Sequence, residues 1–361
     1  MADTTAPAVE LADRIAREVQ RSILRNRNGL LYMAGAFSPK VGLSRKHTVW
    51  SDGKIELWRY ESDMVRFRTP VLLIPSVVSR SYILDLRPAK SFIGALLTAG
   101  FDVFMVDWGV PDASDAGNTL ATYVDRYLPA SLVEVLEKSE SKEAHIVGYC
   151  LGGVLALLFA AAHPSPKIHT LVTMATPVDF SAMTLMAAAL RDGRLEPDML
   201  IDTTGNVPPD VIYESFQMLR PTDRMVQYVS LLDKLWNDEY LHDYAAMGQW
   251  ARDQVPFPGA LLREVTAGFI RRNELVGGRS RLGGREVDLG SVICPVLNVV
   301  AERDHIVPPA AARPILSVVG STDTTELALS GGHVSFLIGR EAANKAWPAI
   351  AHWLEVRSRV A

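Results

Sequence analysis

Cysteine is scarce in this sequence: Cys150 and Cys294 are the two in 361 residues. So few thiols exclude a disulfide-stapled scaffold. The chain opens Met-Ala-Asp-Thr-Thr, without the basic start and apolar block of a secretory signal. A reducing, cytoplasmic setting with both thiols free is therefore expected. Long apolar runs are also missing. The longest, roughly Leu151 to Ala162, is interrupted by two glycines, whereas a membrane span needs about 18 or more apolar residues. Nor is there a cationic block. Acidic residues outnumber basic ones by 41 to 37, for a net charge of -4, which gives nucleic-acid binding no electrostatic footprint. No internal repeat or low-complexity tract is visible.

What is present suits a large core, with 48% hydrophobic and 22% charged residues. Leu11, Ile15, Val19 and Ile23 recur every fourth residue, which predicts an N-terminal helix packed on the domain surface or docked on a partner or granule surface. Asp52-Gly53 between Thr48–Trp50 and Ile55–Tyr60 predicts a hairpin. The run Pro70–Pro75 reads as a strand covered on both faces. Helix and strand then alternate: helices at Ser91–Ala99, Thr119–Lys138 and from Gly152, strands at Phe101–Val106, Ala144–Gly148 and His169–Met174. That rhythm implies parallel strands joined by helical crossovers. It breaks near Pro177. From Phe180 to about Arg271 the segments are mostly helical, rich in Met, Leu and aromatics and punctuated by prolines. It resumes with strands at Val292–Val300 and Glu326–Leu329 and a closing helix near Ala342–Val356. The organisation expected is an N-terminal helical segment over 1–39, an α/β core over 40–179 and 272–361, and an inserted cap over 180–271.

The central chemical signal is Gly148-Tyr149-Cys150-Leu151-Gly152-Gly153, set between a strand and a helix. Its spacing is that of the nucleophile elbow of the α/β-hydrolase fold, with cysteine in place of serine. A nucleophile on so sharp a turn crowds its neighbours, so glycine is needed beside it at Gly148, Gly152 and Gly153. The helix N-terminus behind it favours a thiolate. The N–H of Leu151 is placed to form half of an oxyanion hole, with a second donor expected near Val77 or Val78 after the early strand. A base and an orienting acid should follow in the order acid, then histidine. Asp304, in the turn after the late strand, and His333, after two glycines and the last strand, meet that order. Glu302 and His305 are the rival acid and base. Cys294, in an apolar run, reads as structural. This acyl-transfer chemistry calls for neither metal nor cofactor.

Together these segments resemble the polyhydroxyalkanoate synthases, and in particular the short catalytic subunits of the two-subunit classes. The likeness rests on the elbow, on Asp107-Trp108-Gly109, and on Thr176-Pro177-Val178-Asp179-Phe180 leaving the core. It also rests on Asn273-Glu274-Leu275-Val276 with Leu282-Gly283-Gly284 returning to it, and on the loops carrying Asp304 and His333. It departs at Ser79-Arg80-Ser81-Tyr82, where the family often has Asn-Arg-Pro-Tyr, and at Ser335, where it often has glycine. The resemblance implies polymerisation of (R)-3-hydroxyacyl units, short-chain 3-hydroxybutyryl foremost, from coenzyme A thioesters. The growing polyester would ride on Cys150 as a thioester, with His333 as base and Asp304 supporting His333 or the substrate hydroxyl. A second synthase subunit and a place at the polyester granule surface are implied as well, and Met183 to Met186 with the other apolar residues of the cap suggest a lid or the surface of a homodimer or larger assembly. A cysteine-dependent thioesterase and a non-catalytic granule or partner-binding homologue are the alternatives.

Overall fold

A computed structural model describes residues 5–360 apart from 89, 184, 220–222 and 340. Helix α1 spans Thr5–Met33. The main sheet consists of β1 (Lys46–Asp52), β2 (Ile55–Tyr60), β3 (Val71–Ile74), β4 (Val103–Asp107), β5 (Ala144–Tyr149), β6 (Ile168–Met174), β7 (Val296–Ala301) and β8 (Thr324–Leu329). Their spatial order is β1-β2-β4-β3-β5-β6-β7-β8. The β1–β2 hairpin adds antiparallel to β4, and every later pairing is parallel. This is the α/β architecture expected, a mostly parallel sheet with helices on both faces.

The continuous apolar runs of the inner strands follow from burial on both sides. Side chains alternate faces along a strand. Leu72, Ile74, Phe104, Val106, Ile146 and Leu171 join one core with helices α3 (Leu128–Lys138) and α4 (Leu151–Ala162). Val71, Leu73, Val103, Met105, Val147 and Val172 join the other, beneath α2 (Phe92–Ala99) and α8 (Trp347–Glu355). Strand β7 begins at Val296 rather than Val292, because Pro295 has no N–H to give a central ladder. The hairpin Arg279–Leu282 with Arg285–Asp288 has no counterpart in the sequence reading. Its alternation is short, and by sequence Leu282-Gly283-Gly284 marks only a return toward the core.

Between β6 and that hairpin the chain is mostly helical. It includes α5 (Pro209–Met218), α6 (Asp223–Asp233) and α7 (Asp238–Arg252). The base of this excursion is stapled. Asn273 accepts from the Phe180 N–H at 2.8 Å and donates to Asp179 at 2.8 Å.

The apolar stripe on α1 does not pack on the domain as expected: Ile15, Val19 and Ile23 are exposed. The C-terminal half of the helix reaches the rest of the fold, from Arg21 over the Trp236 ring onward. There Tyr32 and Phe37 pack with Leu231 and Leu241. Asn28, fully buried, donates to the Leu235 carbonyl and to Asp238, each at 2.7 Å. Removing that amide takes the donor from a half-buried carbonyl, at a cost of about 0.5–1.5 kcal/mol. Asn28→Ala should therefore speed amide hydrogen exchange in α1 and the start of α7 while β3 to β7 keep their protection. Unchanged exchange in α1 would show that its docking does not depend on this residue.

Candidate active site

Strand β5 ends at Tyr149 and α4 begins at Leu151, leaving Cys150 alone on the turn between them. Its φ is 55° and its ψ -123°, a conformation rare for a side-chain-bearing residue. Three supports hold it there. The Cys150 N–H donates to the Met174 carbonyl at 2.8 Å, and the Gly153 N–H donates back to the Cys150 carbonyl at 2.9 Å. The third is close approach. A Cβ on Gly148 would lie 2.5 Å from the Gly153 Cα. One on Gly152 would overlap the carbonyl oxygens of Ile74 and Pro75, and one on Gly153 the Thr176 hydroxyl. Each elbow glycine thus has its own steric cause.

The acid and base loops close on the same point. Asp304 follows β7 in a tight turn, where its Oδ1 accepts from the N–H groups of Ile306 and Val307, each at 2.8 Å. Its Oδ2 lies 2.7 Å from His333 Nδ1. The two loops are tied by the Arg303 N–H, which donates to the Gly331 carbonyl at 3.0 Å. Ser335, the departure noted above, caps the histidine loop: its hydroxyl accepts from the Gly332 N–H at 3.0 Å. A Cβ on Gly331 would come 2.5 Å from that of Ser335, so glycine before the histidine and serine after it are one fitted set.

His333 Nδ1 is thereby committed to Asp304, and His333 and Cys150 line one cavity. Burial opposes charge on His333, but the Asp304 carboxylate and the Cys150 sulfur outweigh it and raise its pKa to about 10. Tyr149 packs against the imidazole at a tilt of 40°, with centroids 5.3 Å apart. The rivals fall elsewhere. Glu302 is exposed and pairs with Arg313, and His305 is not among the residues lining the cavity over Cys150.

That cavity is about 90 Å³. Ser76, Val78, Tyr149, Cys150, Ile306 and His333 line it from the core side. Tyr213, Phe216, Gln217, Trp250, Ala251 and Gln254 cover it from the helical excursion. Of the expected oxyanion positions, Leu151 opens α4, Val78 lines the cavity, and the Val77 side chain is buried in the core. The covering residues escaped sequence reasoning because no local pattern ties a residue near 250 to an elbow at 150. Cys294 lies apart, beside a groove of about 480 Å³ formed with Ile168, Val292, Ile293 and Pro295. Burial pushes its thiol up to about 11, which suits an unreactive cysteine. Among the described residues no cluster of His, Cys, Asp or Glu could hold a metal, and no helix is long and apolar enough to cross a membrane.

Two outcomes follow from this geometry. A histidine whose pKa rises on folding adds stability that is complete below its unfolded value, near 6.5, and is lost as pH climbs through its folded value, about 10. The stability margin of the wild type over His333→Gln should therefore shrink between those pH values in denaturant titrations. A pH-independent margin would contradict the pairing. Gly152→Ala should cost about 1–3 kcal/mol or more, since its Cβ meets backbone rather than a movable side chain. Gly117→Ala, an exposed site with open space around it, serves as the neutral control.

A family model described as the alpha/beta hydrolase fold matches residues 69–339, and one for the poly-beta-hydroxybutyrate polymerase (PhaC) N-terminus matches 36–96. The chain is 34% identical to the poly(3-hydroxyalkanoate) polymerase subunit PhaC of Thiocystis violacea, over 96% of this chain and 98% of that one. With the corresponding subunit of Allochromatium vinosum it shares 33% identity over the same fractions. In structure it is similar to BpoC, a candidate non-heme bromoperoxidase from Mycobacterium tuberculosis H37Rv. That match has a TM-score of 0.50 and 16% identity, over 87% of this chain and 100% of that one, and speaks to the fold alone. With the elbow, the sheet order and these matches in agreement, the chain belongs to the poly(3-hydroxyalkanoate) polymerase PhaC family and carries the α/β-hydrolase fold.

Proposed function

We propose that this chain is the catalytic subunit of a polyhydroxyalkanoate polymerase in which Cys150, His333 and Asp304 work as a triad. The observation that carries this reading is the hydrogen bond between buried Asp304 and His333, with His333 and Cys150 lining one covered apolar cavity in a PhaC-family protein. His333 takes the thiol proton, and the Cys150 thiolate attacks the thioester carbonyl of an (R)-3-hydroxyacyl-coenzyme A. The C–S bond to coenzyme A breaks, and the departing thiolate takes the proton from the imidazolium. The acyl group now rides on Cys150. An incoming hydroxyl gives its proton to His333 and attacks the acyl carbon. An ester bond forms, the acyl–cysteine bond breaks, and the Cys150 sulfur recovers the proton. Exchange of one thioester for another is nearly balanced in energy, which suits sulfur better than oxygen in this position. The Leu151 N–H and a donor from the Val77–Val78 stretch would take the oxyanion.

In this reading residues 180–271 act as a cap. The cavity they cover is well below the roughly 300 Å³ of an ordinary small-molecule site, so Tyr213, Phe216 and Trp250 must yield to admit substrate. A neighbouring cavity of about 580 Å³ shares Tyr213, Gln217 and Ala251 with it, and displacing that wall would join the two. A second synthase subunit, self-association and a place at the granule surface complete the proposal, on the strength of the family.

The test is the product. With (R)-3-hydroxybutyryl-coenzyme A, wild type should release coenzyme A and form polyester. Cys150→Ala should lose coenzyme A release by at least roughly 10³-fold. Free 3-hydroxybutyrate as the sole product would make the chain a thioesterase. Undiminished release by the alanine variant would rule out Cys150 as nucleophile.

A further inference from the structure

Two polar atoms at the cavity have no partner. Ser76 Oγ and Gln254 Oε1 make no hydrogen bond, although their residues are only 2% and 7% exposed. Both residues line the cavity together with Cys150 and His333. Folded proteins seldom leave buried polar atoms unpaired without a functional cause.

Their surroundings fix what each can bind. The Gln254 amide nitrogen donates to the carbonyls of Trp250 at 3.1 Å and Ala251 at 2.9 Å. The nitrogen is thereby committed to the end of α7, and the free atom is an oxygen that can only accept. An antiparallel bridge between Ser79 and Gln254 holds the backbone of this residue against the loop after β3. Ser76 stands in that loop, next to Pro75, whose carbonyl presses on the elbow at Gly152. Its hydroxyl can rotate and can donate. The cavity thus offers one donor beside the elbow and one acceptor on the side of the cap.

We infer that Ser76 and Gln254 are the two polar ends of a subsite for a 3-hydroxyacyl group, with Ser76 donating to the acyl carbonyl oxygen and Gln254 accepting from the 3-hydroxyl. The inference rests on the reading of Cys150 as acyl carrier. A 3-hydroxyacyl group presents one acceptor and one donor, the complement of this pair. A plain acyl group satisfies Ser76 and leaves Gln254 unpaired, and sites built to bind a substrate hydroxyl reject analogues that lack it.

First-turnover coenzyme A release from three thioesters tests this: (R)-3-hydroxybutyryl-, butyryl- and 3-fluorobutyryl-coenzyme A, the last with the same spatial arrangement at carbon 3. Fluorine fills the place of the hydroxyl but cannot donate. Wild type should favour the hydroxylated substrate over both others by at least roughly 10-fold. Gln254→Leu should narrow that preference by at least roughly 10-fold. Ser76→Ala should slow all three by a common factor of about 10²-fold with its melting temperature unchanged, and an unchanged rate would overturn the role of Ser76. Damage to the fold alone would lower the melting temperature, slow every substrate together and leave the preference intact. An unchanged preference in Gln254→Leu would overturn the inference, as would wild type that treats hydroxyl and fluorine alike. The wild-type comparison decides by itself if the leucine variant does not fold. Coenzyme A release without a preference sinks this inference alone, whereas no release from any thioester sinks the reading of Cys150 with it.

Discussion

Between Asp304 and His333 runs a hydrogen bond of 2.7 Å, with both residues 5% exposed. A carboxylate so deeply placed must be satisfied on every side. Two backbone N–H groups of its own turn hold one oxygen and the imidazole holds the other. That arrangement settles much else. It fixes the ring through Nδ1, it makes protonated imidazole favourable inside the protein, and it requires the loops after β7 and β8 to stay in register. The Arg303–Gly331 backbone bond and the Ser335 cap on the histidine loop supply that register. The contact depends in turn on β5, β6 and β7 lying side by side, because Cys150 is anchored to the end of β6 and Asp304 extends from β7.

The cysteine itself sits under backbone strain. A positive φ at a residue with a side chain is disfavoured by roughly 1–3 kcal/mol, and here it is enforced from behind. The α4 residues Gly152 and Gly153 press onto the β3 loop and onto Thr176 so closely that no Cβ fits. The same closeness brings the β3 loop, with Ser76 and Val78, to the cavity. From above, Trp250 donates its indole N–H to the Arg80 carbonyl at 3.0 Å and thereby fastens the covering helix to that loop. The elbow, the histidine loop and the covering helices are thus parts of one packed unit rather than separate features around a cleft.

Much of this was legible in the sequence, for a physical reason. Inner parallel strands must be apolar on both faces, and the elbow must be glycine-rich, so β3 to β7 and the turn at Cys150 announce themselves locally. The order of acid and histidine follows from the strand order, so Asp304 and His333 could be named although they lie far from Cys150 in the chain. The rest depended on contacts that sequence does not encode locally. Ile15, Val19 and Ile23 have the spacing of a buried stripe, yet the helix outruns the surface it docks on and leaves them exposed. β7 starts later than its apolar run suggests, because apolar character extends back through Cys294 while the ladder cannot pass Pro295. Trp250 and Gln254 meet the cavity only because the excursion folds back over the sheet, and nothing in their immediate sequence says so.

The central claim is that Cys150 carries the acyl group. Intact-protein mass spectrometry after millisecond mixing with (R)-3-hydroxybutyryl-coenzyme A, followed by peptide mapping, addresses it directly. The account predicts an adduct of one or more hydroxybutyryl units on the peptide containing Cys150, released by hydroxylamine as a thioester is. Coenzyme A release with no adduct at Cys150, or with the acyl group on another residue, would contradict it.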